Sequence, residues 1–442
     1  MRLILVIVAA VIIGGLSVAI HPLAPFAAIA VVFVVGLGVY DPLYMLMMFV
    51  VVLLTRPAEF FPALAAVPLA KTLALGSIGI WLAHKMIKKD ASWVASPLNP
   101  YFLLLMGVLL GTCPFSSWPK NSLDFFFENF LKIGVIYVLI LNLLDTPRRA
   151  AAFQLVIAFS CVFLAGYAIY AKQHSIGLIE GSRAAFVGLL GDPNDLAFAL
   201  LMVGPFLLAA FLENQGGRRI GYFALFSVLA LGMLATQSRG GILGFLVGGY
   251  FLFRGKIKSR LASGVVIALL SLGAIVAGGL HERSSGAVGA TMEMDESAQG
   301  RLDAWKAGLE MLLHHPLTGV GLKQFTAHHP LDAHNAYIKV AAETGLVGLF
   351  AFLMLVFLSL RCALNVSRIA PQVPHPTERA LARALFPALM GMFTSAFFLT
   401  QSWIWFIYIM MALSAAAPHA FQEYLEVSVE GAEPDPQRAA NR

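Results

Sequence analysis

The chain has 442 residues, of which 59% are hydrophobic and only 12% charged, with a net charge of +6 and a mean hydropathy of +0.81. This balance excludes an ordinary soluble domain and predicts a polytopic all-α membrane protein, because apolar runs of roughly 15–25 residues can cross a bilayer core as helices. The strict alternation of a membrane barrel is not seen. The three cysteines stand in or beside apolar runs without metal-ligand spacing, so neither disulfides nor a metal is expected.

In chain order the candidate spans are residues 3–20, 23–39, 42–54, 67–84, 98–113, 130–144, 150–171, 196–212, 220–236, 242–253, 261–280, 335–360, 385–400 and 403–417. Several are short, so ~12 true spans are expected, the remainder being re-entrant or interfacial. The first run reads as a span rather than a signal peptide, although Ser17-Val18-Ala19 would make a passable cleavage site. Basic residues gather at Lys85, Lys88 and Lys89; at Arg148 and Arg149; at Arg218 and Arg219; at Arg254, Lys256, Lys258 and Arg260; and at Arg361, Arg368, Arg379 and Arg383. Each cluster follows an even-numbered span, so the positive-inside bias predicts that both termini are cytoplasmic. The chain then divides into N-terminal spans (1–280), a large outer loop (281–334), C-terminal spans (335–420) and a disordered cytoplasmic tail (421–442). No internal repeat is visible and the spans carry few mid-membrane carboxylates, whereas transporters usually show one or both.

Residues 300–349 break the apolar pattern. Leu302, Trp305, Leu309 and Leu312 recur with a helical period, and Pro316, Gly319 and Gly321 end that helix. Beyond His328, His329 and Asp332, the pair His334-Asn335 opens a long apolar helix. A histidine at a helix N-terminus is favoured in its neutral form, which can act as a general base. The plainer alternative, that His334 only caps the helix, is equally compatible with the spacing. Asn335, Lys339 and Glu343 form a polar stripe that could orient the base or the acceptor. The histidines lack carboxylate or cysteine partners at a metal-site spacing. Glu293, Asp295 and Glu296 read as a solvated loop, the alternative being a divalent-metal site for donor phosphates.

Arg183, Arg239 and Arg301 fall at the outer boundaries of spans, against the charge bias. Each alone reads as an interfacial arginine. Converging, they would make a diphosphate site, since guanidinium groups match phosphate oxygens bidentately. Lys71 and Lys323 are weaker candidates for that role. In Gly191-Asp192-Pro193-Asn194-Asp195, Asn194 or Asp195 is the expected helix cap, with a polar contact from Asn194 left open.

On Arg183 with the following DPN, TQSRGG around Arg239, GRLDAWKAGLEMLLHHPLTGVGL and HNAYIKVAAETGLVGL, the chain resembles the bacterial O-antigen ligases, which share a membrane domain with O-antigen polymerases and protein O-oligosaccharyltransferases. The resemblance implies a type-C glycosyltransferase-like fold with about a dozen spans. It also implies a cofactor-independent, inverting transfer of a glycan from undecaprenyl diphosphate to a lipid A core sugar on the periplasmic face of the bacterial inner membrane. Carried onto this chain, it implies His334 as base and Arg183, Arg239 and Arg301 as diphosphate ligands; Asn335, Asn194, Lys71 and Glu343 are supporting candidates from their own positions. Polymerase and protein-ligase acceptors remain alternatives, as does a lipid-linked glycan transporter; membrane lipids, not nucleic acid, are the expected surroundings.

Overall fold

Helices here begin on a recurring device, a side chain that accepts a first-turn N–H followed by a proline where no donor is needed. Asp41 before Pro42, Thr146 before Pro147 and Asp192 before Pro193 all use it. The computed structural model describes residues 36–60, 69–254 and 298–430. Among these the chain is helix and loop, with one isolated bridge between Ile179 and Arg183. In order the helices are α1 (Pro42–Thr55), α2 (Leu69–Lys88), α3 (Asn99–Thr112), α4 (Pro119–Leu143), α5 (Pro147–Gln173), α6 (Pro193–Glu213), α7 (Gly216–Thr236), α8 (Arg239–Phe253), α9 (Ala298–His314), α10 (Ala336–Ile369), α11 (Pro376–Ala396) and α12 (Trp405–Ala420).

Of these, α4, α5, α6, α7 and α10 are long and apolar enough to cross a membrane, and α1, α3, α8 and α12 are shorter apolar helices. Leu103, Phe163, Phe223 and Phe357 point outward and exposed, a liability in water but ordinary contact in lipid. An all-α membrane protein is therefore what these residues build. The expected spans at 3–20 and 261–280, most of 23–39, and the acidic cluster at 293–296 lie outside the described residues.

Three expectations need correction. The helix expected to start at residue 130 begins at Pro119 and passes through a π turn at Phe126–Phe130. The helix expected to run unbroken from Asn335 is interrupted at Gly345 (φ 67°, ψ −167°), a conformation open to glycine alone. The segment from 421, expected to be disordered, starts with helix Gln422–Glu430 and buries Tyr424.

The core forms where α11 packs against α6, α8 and α10, and α10 against α12. Small residues let backbones approach: a Cβ on Gly244 of α8 would lie 2.5 Å from the Gly391 carbonyl of α11. The described members of the basic clusters named above collect at one end of this bundle. There Arg149 bridges Asp41 and Asp145, while Arg379 and Arg383 clasp Glu213. From that end α7 runs from Arg218 and Arg219 to Gln237, and α11 from Arg379 to Phe397; α8 returns from Arg239 to Arg254. Arg183, Arg239 and His334 therefore belong to the opposite end.

Candidate active site

The break at Gly345 seats the loop that precedes α10. It frees helix carbonyls, and the loop takes them: Val320 N–H donates to Ala342 O (2.8 Å) and Gly321 N–H to Glu343 O (3.1 Å). Leu346 N–H donates back to Pro316 O at 2.8 Å. Gly319 lies so close that a Cβ there would come within 2.4 Å of the Glu343 carbonyl carbon. The glycines that read as helix terminators are thus also points of close backbone approach.

Glu343, fully buried, holds the rest of the loop. Its carboxylate accepts the backbone N–H groups of Lys323 (3.0 Å) and Phe325 (3.1 Å) and the indole N–H of Trp403 (2.6 Å). One turn earlier, Lys339 donates to both oxygens of Asp332, at 2.9 and 2.6 Å. The polar stripe of Asn335, Lys339 and Glu343 thus fixes the loop that precedes α10 and carries His334. From the first half of the chain, Ser122 Oγ donates to Leu322 O (2.7 Å) and accepts from Gln324 Nε2 (3.1 Å).

Asn335, not His334, is the cap: its Oδ1 accepts from Tyr337 N–H (2.9 Å) and Ile338 N–H (3.1 Å). His334 is half-buried just outside the helix, with a left-handed backbone (φ 46°) uncommon for a non-glycine residue, and it donates its N–H to Thr400 Oγ1 at 3.1 Å. The plain capping reading therefore passes to its neighbour.

Thr400 belongs to a turn between α11 and α12 that sequence reasoning passed over. Each residue of Thr400-Gln401-Ser402-Trp403 grips a different part of the site: Thr400 the His334 backbone, Gln401 the Asp195 carboxylate, Ser402 the Ala336 carbonyl, and Trp403 Glu343. Among the described residues, buried Asn335 Nδ2 and Gln401 Oε1 have no hydrogen-bond partner.

The Arg183 and Arg239 motifs come together. Asp192 caps α6, which corrects the expected Asn194 or Asp195 cap and frees Asn194. Asn194 Oδ1 accepts from Arg183 Nη2 (3.0 Å) and from Ser238 Oγ (2.8 Å), and Ser238 caps the helix that Arg239 begins. Arg183 is buried and also bonds Thr236 O and Glu180, whereas Arg239 is exposed. Gly240 abuts Phe398 and Leu399, on the segment that leads into Thr400. Arg301 lies one turn before Trp305, whose indole N–H donates to Ala333 O (2.9 Å) and whose ring meets Phe397 edge-on at 5.4 Å. The segment from Phe397 to Gln401 is thus the common neighbour of all three motifs. Lys71, exposed near the start of α2, has no hydrogen bond or ion pair to these residues among the described contacts.

Lys323 and Asp332 carry shifted acidities. Burial pushes the Lys323 ammonium below its ordinary value and Lys339 adds repulsion; Glu343, Asp332 and Asp195 offset this only in part. Its side chain still reaches water. Burial would raise the Asp332 carboxyl, but the Lys339 charge and hydrogen bonds, the Ala333 N–H and Lys323 outweigh it, and the net direction is down.

Apolar helices long enough to cross a bilayer, with a polar loop seated across one end, define a helical membrane protein. Residues 223–353 match the family model described as O-antigen ligase. That match takes in Arg239, Arg301, His334, Asn335 and Glu343, and stops short of Arg183, Asn194 and the Thr400–Trp403 turn. A comparison with curated proteins finds no match.

Proposed function

We propose that this protein is an O-antigen ligase of the bacterial inner membrane with its site on the periplasmic face. The observation that carries the reading is the meeting of a candidate base, His334, and two available cations, Arg239 and Arg301, around one segment, Phe397 to Gln401. That segment lies at the end of the bundle away from the basic clusters, which agrees with an outward site under the positive-inside bias.

In this reading an acceptor hydroxyl on a lipid A core sugar gives its proton to His334. Its oxygen attacks the anomeric carbon of the glycan, and the bond from that carbon to the diphosphate oxygen breaks. The configuration inverts and undecaprenyl diphosphate leaves with the bonding electrons. Arg239 and Arg301 stabilise charge as it develops on the leaving diphosphate. Arg183, enclosed by Thr236, Glu180 and Asn194, contributes by holding the turn that presents Arg239. Asn335 and Glu343 fix the histidine's loop, and Lys71 would meet the diphosphate only from the rim.

Purified full-length protein, given a glycan on undecaprenyl diphosphate, should join it to lipid A core and not to a second lipid-linked glycan or to protein. Transfer only to a lipid-linked glycan would make it a polymerase. No transfer to any acceptor in detergent, where no two compartments exist, would favour a transporter.

A further inference from the structure

Two adjacent residues at the start of α6 hold different parts of the site. Asn194 Oδ1 takes hydrogen bonds from Arg183 Nη2 (3.0 Å) and Ser238 Oγ (2.8 Å), and Ser238 Oγ in turn accepts the Gly241 N–H (3.2 Å) in the helix that Arg239 begins. Asp195 serves another partner: its carboxylate accepts from Gln401 Nε2. Gln401 follows Thr400, whose hydroxyl takes the His334 N–H at 3.1 Å.

A carboxylate in the first turn of a helix is favourable wherever it occurs. What sets Asp195 apart is its partner. Gln401 is buried, its Oε1 has no hydrogen-bond partner among the described residues, and the bond to Asp195 is the one its side-chain amide makes there. Without that carboxylate a buried amide would be left unmet, in the residue next to the hydroxyl that holds the base's backbone. The left-handed backbone of His334 (φ 46°) persists only where its surroundings fix it. Building on the ligase reading above, we infer that Asp195 is a positioning residue: through Gln401 and Thr400 it sets the place of His334, while Asn194 beside it sets the place of Arg239. Asp195 thus governs turnover, by its hydrogen bond rather than its charge, and Asn194 governs donor binding.

The test makes three measurements on full-length protein in detergent: the Kd for undecaprenyl diphosphate, kcat for glycan transfer to lipid A core, and amide hydrogen exchange at His334. The last reports the bond to Thr400 whether or not glycan is transferred. Asp195→Ala, checked for wild-type helicity and melting, should lower kcat and speed that exchange at least ~10-fold, the scale of one unmet buried donor, with the Kd unchanged. Asp195→Asn keeps an acceptor oxygen for Gln401 while removing the charge that acts on the Lys323 ammonium, and should stay within ~3-fold of wild type in both. Asn194→Ala should instead raise the Kd at least ~10-fold. Gln401→Met removes the Asp195 bond from the other side and stands in should Asp195→Ala fail to fold; the double variant should be no slower than the slower single one. Wild-type kcat and exchange in folded Asp195→Ala or Gln401→Met would overturn the inference. So would Asp195→Asn matching Asp195→Ala, which would assign the effect to charge, or a Kd that rises as kcat falls in Asp195→Ala, which would mark a general loosening. The expected exchange pattern without transfer to any acceptor would sink the ligase reading alone; wild-type transfer by every variant would sink the positioning role alone.

Discussion

The backbone N–H of His334 donates to the hydroxyl of Thr400 across 66 positions of sequence, at 3.1 Å. This ties the left-handed residue that carries the candidate base to the segment shared by both arginine motifs. Thr400→Val keeps the shape and removes the acceptor, leaving a half-buried donor unmet at a cost of about 1–3 kcal/mol. If that cost falls on the transition state, turnover should drop roughly 5- to 150-fold, with Thr400→Ser close to wild type. Steady-state transfer rates, with donor binding measured alongside, check this; donor binding should not change.

Glu343 accepts from two loop N–H groups and one indole. Glu343→Ala should cost ~3 kcal/mol or more, because several buried donors lose their partner together. Glu343→Gln, which retains one acceptor oxygen, should fall between it and wild type. Melting in detergent ranks the three; equal melting temperatures would remove Glu343 from the loop's support.

At Gly345 a Cβ would lie 2.6 Å from the Pro316 carbonyl, on a backbone open to glycine alone. Gly345→Ala should therefore lift the 316–321 loop off the helix break, at ~1–3 kcal/mol. Limited proteolysis should then cut within 316–335 faster than in wild type.

Much of this was readable from residue types. The Asp41-Pro42 start was legible as a helix boundary, because capping is local chemistry, whereas the helices that begin at Pro147 and Pro193 start three residues before the expected spans at 150 and 196. The dense polar stretch at 300–349 and the Arg183, Asn194 and Arg239 motifs held most of the residues of the candidate site. What escaped was long-range. Thr400, Gln401, Ser402 and Trp403 sit singly between two apolar helices and read as an ordinary turn; their partners are 66, 206, 66 and 60 positions away. Ser122 likewise meets Leu322 at a separation of 200. The kink at Gly345 hid in an apolar run whose composition suits an unbroken helix, since only the incoming Pro316 loop makes the break favourable.

The Asp332 carboxyl is held below its ordinary value in the folded chain. A depressed carboxyl stabilises the fold above its unfolded pKa of about 3.9, and that contribution is lost as pH falls through the lower folded value. Wild-type stability should thus contain an acid-sensitive component that Asp332→Asn lacks. Melting temperature against pH, compared for the two proteins, should converge in strong acid and diverge toward neutrality.

The central claim is that His334 moves a proton while Arg239 and Arg301 hold a diphosphate, in one site. It is tested most directly by measuring, on the same purified variants, undecaprenyl diphosphate binding and glycan transfer to lipid A core. His334→Ala should bind the diphosphate as wild type does and transfer nothing. Arg239→Ala and Arg301→Ala should lose binding, with lysine at either position recovering part of it. Wild-type transfer by His334→Ala, or undiminished binding by both arginine variants, would contradict the account.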